Sequence, residues 1–160
     1  MMKIISGGQT GADQGGLDFA LKHGWPCGGW CPPARQCETG RIPGRYPVRE
    51  VEAGDYNERT RRNIQDADAT LVITQHGFME EGTALTLAWC EKYSRPSFHF
   101  DISQPGLIPP QDLADLSDWL KSNRINVLNV AGNRESNSPG IQACTLTLLE
   151  RLFFPLVGDE

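Results

Sequence analysis

Short apolar runs alternate with helix-length segments along the chain, and that alternation restricts the fold more than any single motif. The runs fall near residues 2–6, 25–30, 69–74, 97–101 and 126–131. Helical spacing of apolar residues follows at 13–23, 56–66, from 82 to before Pro96, at 110–122 and at 138–154. Five β-α repeats with short, near-continuous apolar strands predict an α/β fold, a parallel sheet with helices on both faces. Leu17, Ala20 and Leu21 are expected on the buried face of the first helix, with Gly24 ending it. Leu113, Leu116 and Leu120 mark the fourth helix. Ile141, Leu148, Leu149 and Leu152 mark the fifth, for which Ser138 as N-cap and Pro139 at the first position make a consistent start. With 160 residues and no linker or internal repeat, residues 1–160 are expected to form one domain.

Within this frame three strand-to-helix loops have unusual composition: 7–13, 76–83 and 132–140. In open α/β sheets such loops lie at the carboxyl edge, where ligands bind. The first reads Lys3-Ile4-Ile5-Ser6-Gly7-Gly8-Gln9-Thr10-Gly11-Ala12-Asp13, a strand, a glycine turn and a helix start. Free backbone N–H groups and the positive end of the helix dipole make such a turn a site for an anion such as phosphate. It lacks the Gly-Lys-Ser/Thr of a P-loop, which argues against triphosphate hydrolysis, and it lacks the G-x-G-x-x-G dinucleotide pattern. Asp13 beside it reads either as a first-turn acid favoured by the dipole or as an acceptor for a ligand hydroxyl or amino group. A second segment, 31–54, is rich in Pro, Gly and Arg and is too long for a plain connection, which predicts a lid or binding loop.

Composition narrows the partners. A formal net charge of −5 argues against nucleic acid as a partner. No apolar run approaches the roughly 20 residues of a membrane helix, so no membrane partner is expected. The first residues enter the fold without a signal-peptide pattern, which points to the cytoplasm. Five cysteines, with Cys27, Cys31 and Cys37 spaced unlike any zinc motif, are expected to be reduced thiols with no metal bound.

The segments GGQTGAD at 7–13, GGWCPPAR at 28–35, YNERTRRN at 56–63, EEGT at 80–83 and NVAGNRESNSPGI at 129–141 together resemble the putative molybdenum carrier family. That family is related to the molybdenum cofactor carrier proteins and, more distantly, to LOG-type phosphoribohydrolases and DprA-like proteins. The resemblance spans nearly the whole chain in order. It implies a Rossmann-like three-layer fold and a phosphorylated small-molecule ligand, either the molybdenum cofactor (molybdopterin) as cargo or a nucleotide-derived compound. Related proteins often assemble, so a homo-oligomer is a further expectation.

In LOG-like enzymes the strand comparable to 127–140 precedes the glycine-rich strand, whereas here it comes last. That order implies a circular permutation, with five core strands, counted along the chain, arranged 2-1-5-3-4. This arrangement also makes the three unusual loops neighbours. The expected binding residues are then Gly7, Gly8, Gln9, Thr10, Gly11 and Asp13 from the first loop, Glu81, Gly82 and Thr83 from the second, and Gly132, Arg134, Ser136 and Gly140 from the third. Arg35 and Arg59 could each make bidentate phosphate contacts.

The resembled hydrolases use an arginine matched here by Arg59 and a glutamate whose position holds Thr86. A threonine cannot act as a carboxylate toward a developing ribosyl cation. Glu80 and Glu81 would substitute only if their loop folds back. No catalytic residue is therefore assigned. A carrier is the leading expectation, with a nucleoside-monophosphate hydrolase and a ligand-sensing interaction module as alternatives.

Overall fold

The computed structural model describes residues 1–52, 57–104 and 107–155. In chain order the elements are β1 (Lys3–Ile5), α1 (Ala12–His23), β2 (Cys27–Gly28), β3 (Trp30–Cys31), a 3-10 turn (Pro33–Arg35), β4 (Gln36–Cys37), β5 (Gly40–Arg41) and β6 (Arg49–Glu50). There follow α2 (Glu58–Asp66), β7 (Ala69–Gln75), α3 (Glu81–Lys92), β8 (Ser97–Ile102), α4 (Pro110–Ser122), β9 (Val127–Gly132) and α5 (Ile141–Phe153). Gly54, where the long loop was expected to end, and Tyr56, the expected start of the second helix, lie outside the described residues.

The main sheet has the order β2-β1-β9-β7-β8, all parallel. Counting only its five strands along the chain, this is 2-1-5-3-4, as the motif order implied. β9 lies between β1 and β7, with Ile4 opposite Leu128 on one side and Leu71 opposite Val130 on the other. The architecture is Rossmann-like, a five-stranded parallel sheet with five helices around it.

Strand pleating sends alternate residues to opposite faces. Leu71, Ile73, Leu128 and Val130 join Phe19, Ala20, Leu116, Ile141, Leu148 and Leu149 in the main core, which α1, α4 and α5 cover. Helix α1 lies very close here, since a Cβ on Gly15 would stand 2.6 Å from the Gln142 carbonyl oxygen. On the other face Thr70, Val72, Thr74 and Asn129 are also buried, but Asn129 Nδ2 donates to Thr70 Oγ1 at 3.2 Å. Packed against each other, α2 and α3 flank this second, more polar face.

The sequence reading is corrected in three places. Leu21 is 42% exposed; Phe19 takes the inward position, ringed by His23, Trp25, Phe153 and Phe154. Ser138 does not cap the last helix. Its hydroxyl accepts from Asn133 Nδ2 at 3.0 Å, Gly140 is the N-cap, and the Glu135 carboxylate takes the N–H groups of Gly140 and Gln142 at 2.6 and 3.0 Å. The expected strand at 25–30 is divided, with β2 in the main sheet and β3 pairing with β6 instead.

Inside the long loop the chain builds a small core of its own, with Cys31, Ile42, Tyr46 and Val48 closing over Leu17 of α1. Arg35 holds it together. Its guanidinium donates to the carbonyls of Ile42, Pro43, Tyr46 and Val48 at 2.8–3.2 Å. Tyr46 donates to Asp18 Oδ1 at 2.6 Å, and burial, with Asp18 second, pushes its hydroxyl up to about 12.

Candidate functional site

Because β1, β9 and β7 are adjacent, the loops that follow them emerge side by side at the carboxyl edge. Between these loops and α2 lies a cavity of about 350 Å³, within the size range of small-molecule sites. Asn133 fastens two of the loops together. Its Oδ1 accepts from the Glu80 N–H at 3.1 Å and from Thr83 Oγ1 at 3.0 Å, while its Nδ2 donates to the Phe78 carbonyl at 2.7 Å. Gly11 allows the first loop to come close. With φ +85°, its missing Cβ would stand 2.4 Å from the Asn133 carbonyl oxygen, a position open only to glycine.

Gly7 forms part of the cavity wall. A Cβ there would lie 2.7 Å from an Arg59 guanidinium nitrogen and 2.9 Å from Asp13 Oδ2, so a cation and a carboxylate converge on bare backbone. Asp13 is buried and accepts the Gln9 N–H at 3.2 Å. Burial lifts its carboxyl to about 6, against the opposing pull of Arg59 and of the Gln9 N–H, with Glu80 adding to the lift. Across the cavity the Glu80 carboxylate accepts from the Arg134 N–H at 2.9 Å and from Asn137 Nδ2 at 2.7 Å, and it lies 3.4 Å from Arg134 Nε. The wall thus combines two arginines, Arg59 and Arg134, with the carboxylates of Asp13, Glu80 and Glu81. Neutral polar groups from Thr60, Asn63, Thr83 and Thr86 add donors and acceptors, and Phe78, Leu85 and Trp89 form an apolar side. Such a wall can hold a polar ring system together with an oxyanion.

Of the residues expected to bind, Gly7, Gln9, Asp13, Arg59, Glu81, Gly82, Thr83, Gly132 and Arg134 line the cavity. The remaining ones lie elsewhere. Gly8 faces the long loop, where a Cβ would meet Ile42 Cδ1 at 3.1 Å and Val48 Cγ2 at 3.4 Å. Arg35 clamps that loop's carbonyls, Gly11 meets the third loop, and Gly140 is the N-cap of α5. Thr10 and Ser136 face Glu38 just outside the cavity. Of the three helix N-termini, that of α3 lines the cavity through Glu81, Gly82 and Thr83, that of α1 reaches it only through Asp13, and that of α5 does not. The first amide of α1 is spent on the Asn133 carbonyl at 3.2 Å, and α5 is capped by Glu135.

The residues missed by sequence reasoning are mostly neutral. Asn63 holds the main chain of Trp30 through both ends of its amide, at 2.8 and 3.0 Å, and borders the cavity. Asn129 forms part of the cavity floor, and one signal for it existed: a lone amide in the apolar run Val127-Leu128-Asn129-Val130. Thr86, at the position matched to a glutamate, lines the cavity while its hydroxyl donates back to the Gly82 carbonyl at 3.0 Å. Among the described residues no three His, Cys, Asp or Glu side chains gather as a metal-binding group, and no helix is long and apolar enough to cross a membrane.

The family model of the circularly permutated YpsA SLOG family matches residues 4–153. A crystal structure at 1.45 Å of a protein named "Putative molybdenum carrier protein", from Syntrophus aciditrophicus SB, is 45% identical to this chain. It superposes with a TM-score of 0.85 over 96% of this chain and 95% of its own. No curated protein matches.

Proposed function

The chain belongs to the circularly permutated YpsA SLOG family, and from that premise we propose that it is a carrier for a phosphorylated small molecule, with the molybdenum cofactor as its cargo. The observation that carries this reading is the wall at Gly7, where Arg59 and Asp13 meet over backbone without a side chain. A phosphate or another oxyanion of the ligand pairs with Arg59 or Arg134, for which a guanidinium is the strongest side-chain partner. Asp13 and the asparagines suit the N–H and carbonyl edge of a pterin or a nucleobase, and Phe78 and Trp89 suit its ring face. The donor set fits the organic part of such a cargo through hydrogen bonds and charge. The name borne by the 45% identical protein agrees with this choice.

Calorimetric titration with molybdopterin and with nucleoside monophosphates tests the reading, using the native chain and Gly7→Val. At Gly7 the φ is ordinary and the atoms in the way are side-chain ends, so the fold should survive while the added side chain separates Arg59 from Asp13. At least one of these ligands should bind in the micromolar range, and Gly7→Val should weaken it by tenfold or more, about 1.4 kcal/mol. Absence of binding by all of them overturns the carrier. A second reading has one observation in its favour: Asp13, Glu80 and Glu81 all border the cavity, so carboxylates are at hand although Thr86 is not one. Steady release of free base from a nucleoside monophosphate, lost in Asp13→Asn, would make the protein a hydrolase.

A further inference from the structure

The long loop places one carboxylate among donors that belong to other elements. Glu38, at the turn between β4 and β5, accepts hydrogen bonds from Thr10 Oγ1, from the Ser136 N–H at 3.2 Å and from Ser136 Oγ at 2.5 Å. The Arg134 guanidinium lies 3.9 Å away. Burial alone would push this carboxyl up, but the bonds from Ser136 and Thr10, with Arg134 behind them, hold it below the usual carboxylate range. Three successive amides of the third loop each have a different acceptor, and only the last reaches Glu38. The Arg134 N–H points to Glu80 at 2.9 Å, the Glu135 N–H to Thr10 Oγ1 at 3.3 Å, and the Ser136 N–H to Glu38. The Ser136 N–H, the hydroxyls of Thr10 and Ser136 and the Arg134 guanidinium form around Glu38 a donor set that suits a tetrahedral oxyanion.

The segment that brings Glu38 is firm at its base and slight at its tip. Arg35 and the small core around Ile42 and Tyr46 pin the base. The tip is a hairpin of two residues per strand, mostly exposed, and the Gln9 side chain also holds it by donating to the Gln36 carbonyl at 2.9 Å. So short a ladder has little stability of its own. Cys37 packs against the small core, and beyond it the tip is held by the contacts of Glu38 and Gln9.

We propose that Thr10, Arg134 and Ser136 form an oxyanion subsite beside the cavity, that Glu38 is its tethered resident, and that a ligand's phosphate displaces Glu38 and releases the hairpin. The proposal rests on the carrier reading only in requiring an anionic ligand at these loops. A tethered carboxylate lowers the apparent affinity in proportion to the time it occupies the subsite. The ligand group is of the class of a phosphomonoester or free phosphate. Since Arg134 also lines the cavity, a ligand lying there can extend its phosphate into the subsite.

Inorganic phosphate, titrated into the native chain, Glu38→Gln, Glu38→Ala and Ser136→Ala, tests the subsite without any larger ligand. Hydrogen exchange over residues 36–41 follows the hairpin. Both Glu38 variants should bind phosphate more tightly, Glu38→Ala by about tenfold, and Ser136→Ala should bind it more weakly. Phosphate should speed exchange at 36–41 in the native chain and change it little in Glu38→Ala. Equal affinity in the native chain and both Glu38 variants overturns the proposal, as does an unchanged exchange rate when phosphate saturates the native chain. If no variant binds phosphate at millimolar concentration, the subsite does not exist. Gly7→Val separates the two ideas: phosphate held at the subsite should keep its dependence on Glu38 and Ser136 in that variant, whereas loss of those effects there would place the phosphate at Arg59 and overturn the proposal.

Discussion

The two faces of the central sheet are built on different principles. Under α1, α4 and α5 the strands present Leu71, Ile73, Leu128 and Val130 to an apolar core. One residue along, the same strands turn Thr70 and Asn129 toward α2 and α3, and the cavity opens on that side. Burying apolar area stabilises the first face, at roughly 25 cal/mol per Å². The second face gives up part of that gain, because a satisfied buried hydrogen bond contributes only about 1 kcal/mol and an unsatisfied group is costly. Their number on the second face goes with the cavity that opens there.

Leu128 and Asn129 are neighbours on β9 with opposite duties, which gives a direct way to break the comparison. Leu128→Ala should lose about 3 kcal/mol in urea unfolding, with ligand affinity unchanged once the protein is folded. A loss below about 1 kcal/mol would show that the first face is not the main source of stability.

Asp13 comes next. Its carboxyl sits at about 6 in the folded chain against an ordinary unfolded value of about 3.9. The folded state therefore holds a proton that the unfolded state releases between those values. Stability from this group is complete below about pH 4 and is lost as the pH rises through about 6. Asp13→Asn should remove that slope and stabilise the protein at pH 7 by about 3 kcal/mol, while weakening any ligand that donates to the carboxylate. Parallel pH profiles for the two proteins would show that the burial of Asp13 does not govern its titration.

The smallest effect is expected at Asn129. Asn129→Ala should cost about 1 kcal/mol and lower ligand affinity several-fold, the reverse of the Leu128 pattern. Unaltered binding in calorimetry would remove the cavity floor from the site.

How much of this was legible depended on what fixes each part. Helix α4 could be read residue by residue because it has one apolar stripe, a proline start and a single neighbour layer. The strand order followed from the position of the 129–141 motif and from the need to bring three loops together. Leu21 was misjudged because α1 is enclosed by the sheet, by α5 and by the long loop, so its buried side is wider than one stripe and is centred on Phe19. The start of α5 was misread because Glu135, five residues before Gly140, does what the Ser138 hydroxyl was expected to do. β3 to β6 have two residues each and cannot show alternation. Arg35 was legible as a ligand group only by its charge, and the four carbonyls that engage it are tertiary neighbours. The neutral wall of the cavity, Asn63 and Asn129 above all, carries no charge pattern that a linear reading could weigh.

Among the described residues β9 is the last strand to be made, yet it occupies the centre of the sheet. Before residues 127–132 are available, β1 with β2 and β7 with β8 are separate two-stranded pieces, and the loops after β1 and β7 have no partner between them. Folding during synthesis therefore cannot proceed by adding strands outward from a finished centre. Long-range pairing of this kind is slow, and the open inner edges of β1 and β7 are exposed to other chains until β9 arrives. The permutation that places the central strand late in the chain thus leaves the growing chain dependent on β9 to close the sheet.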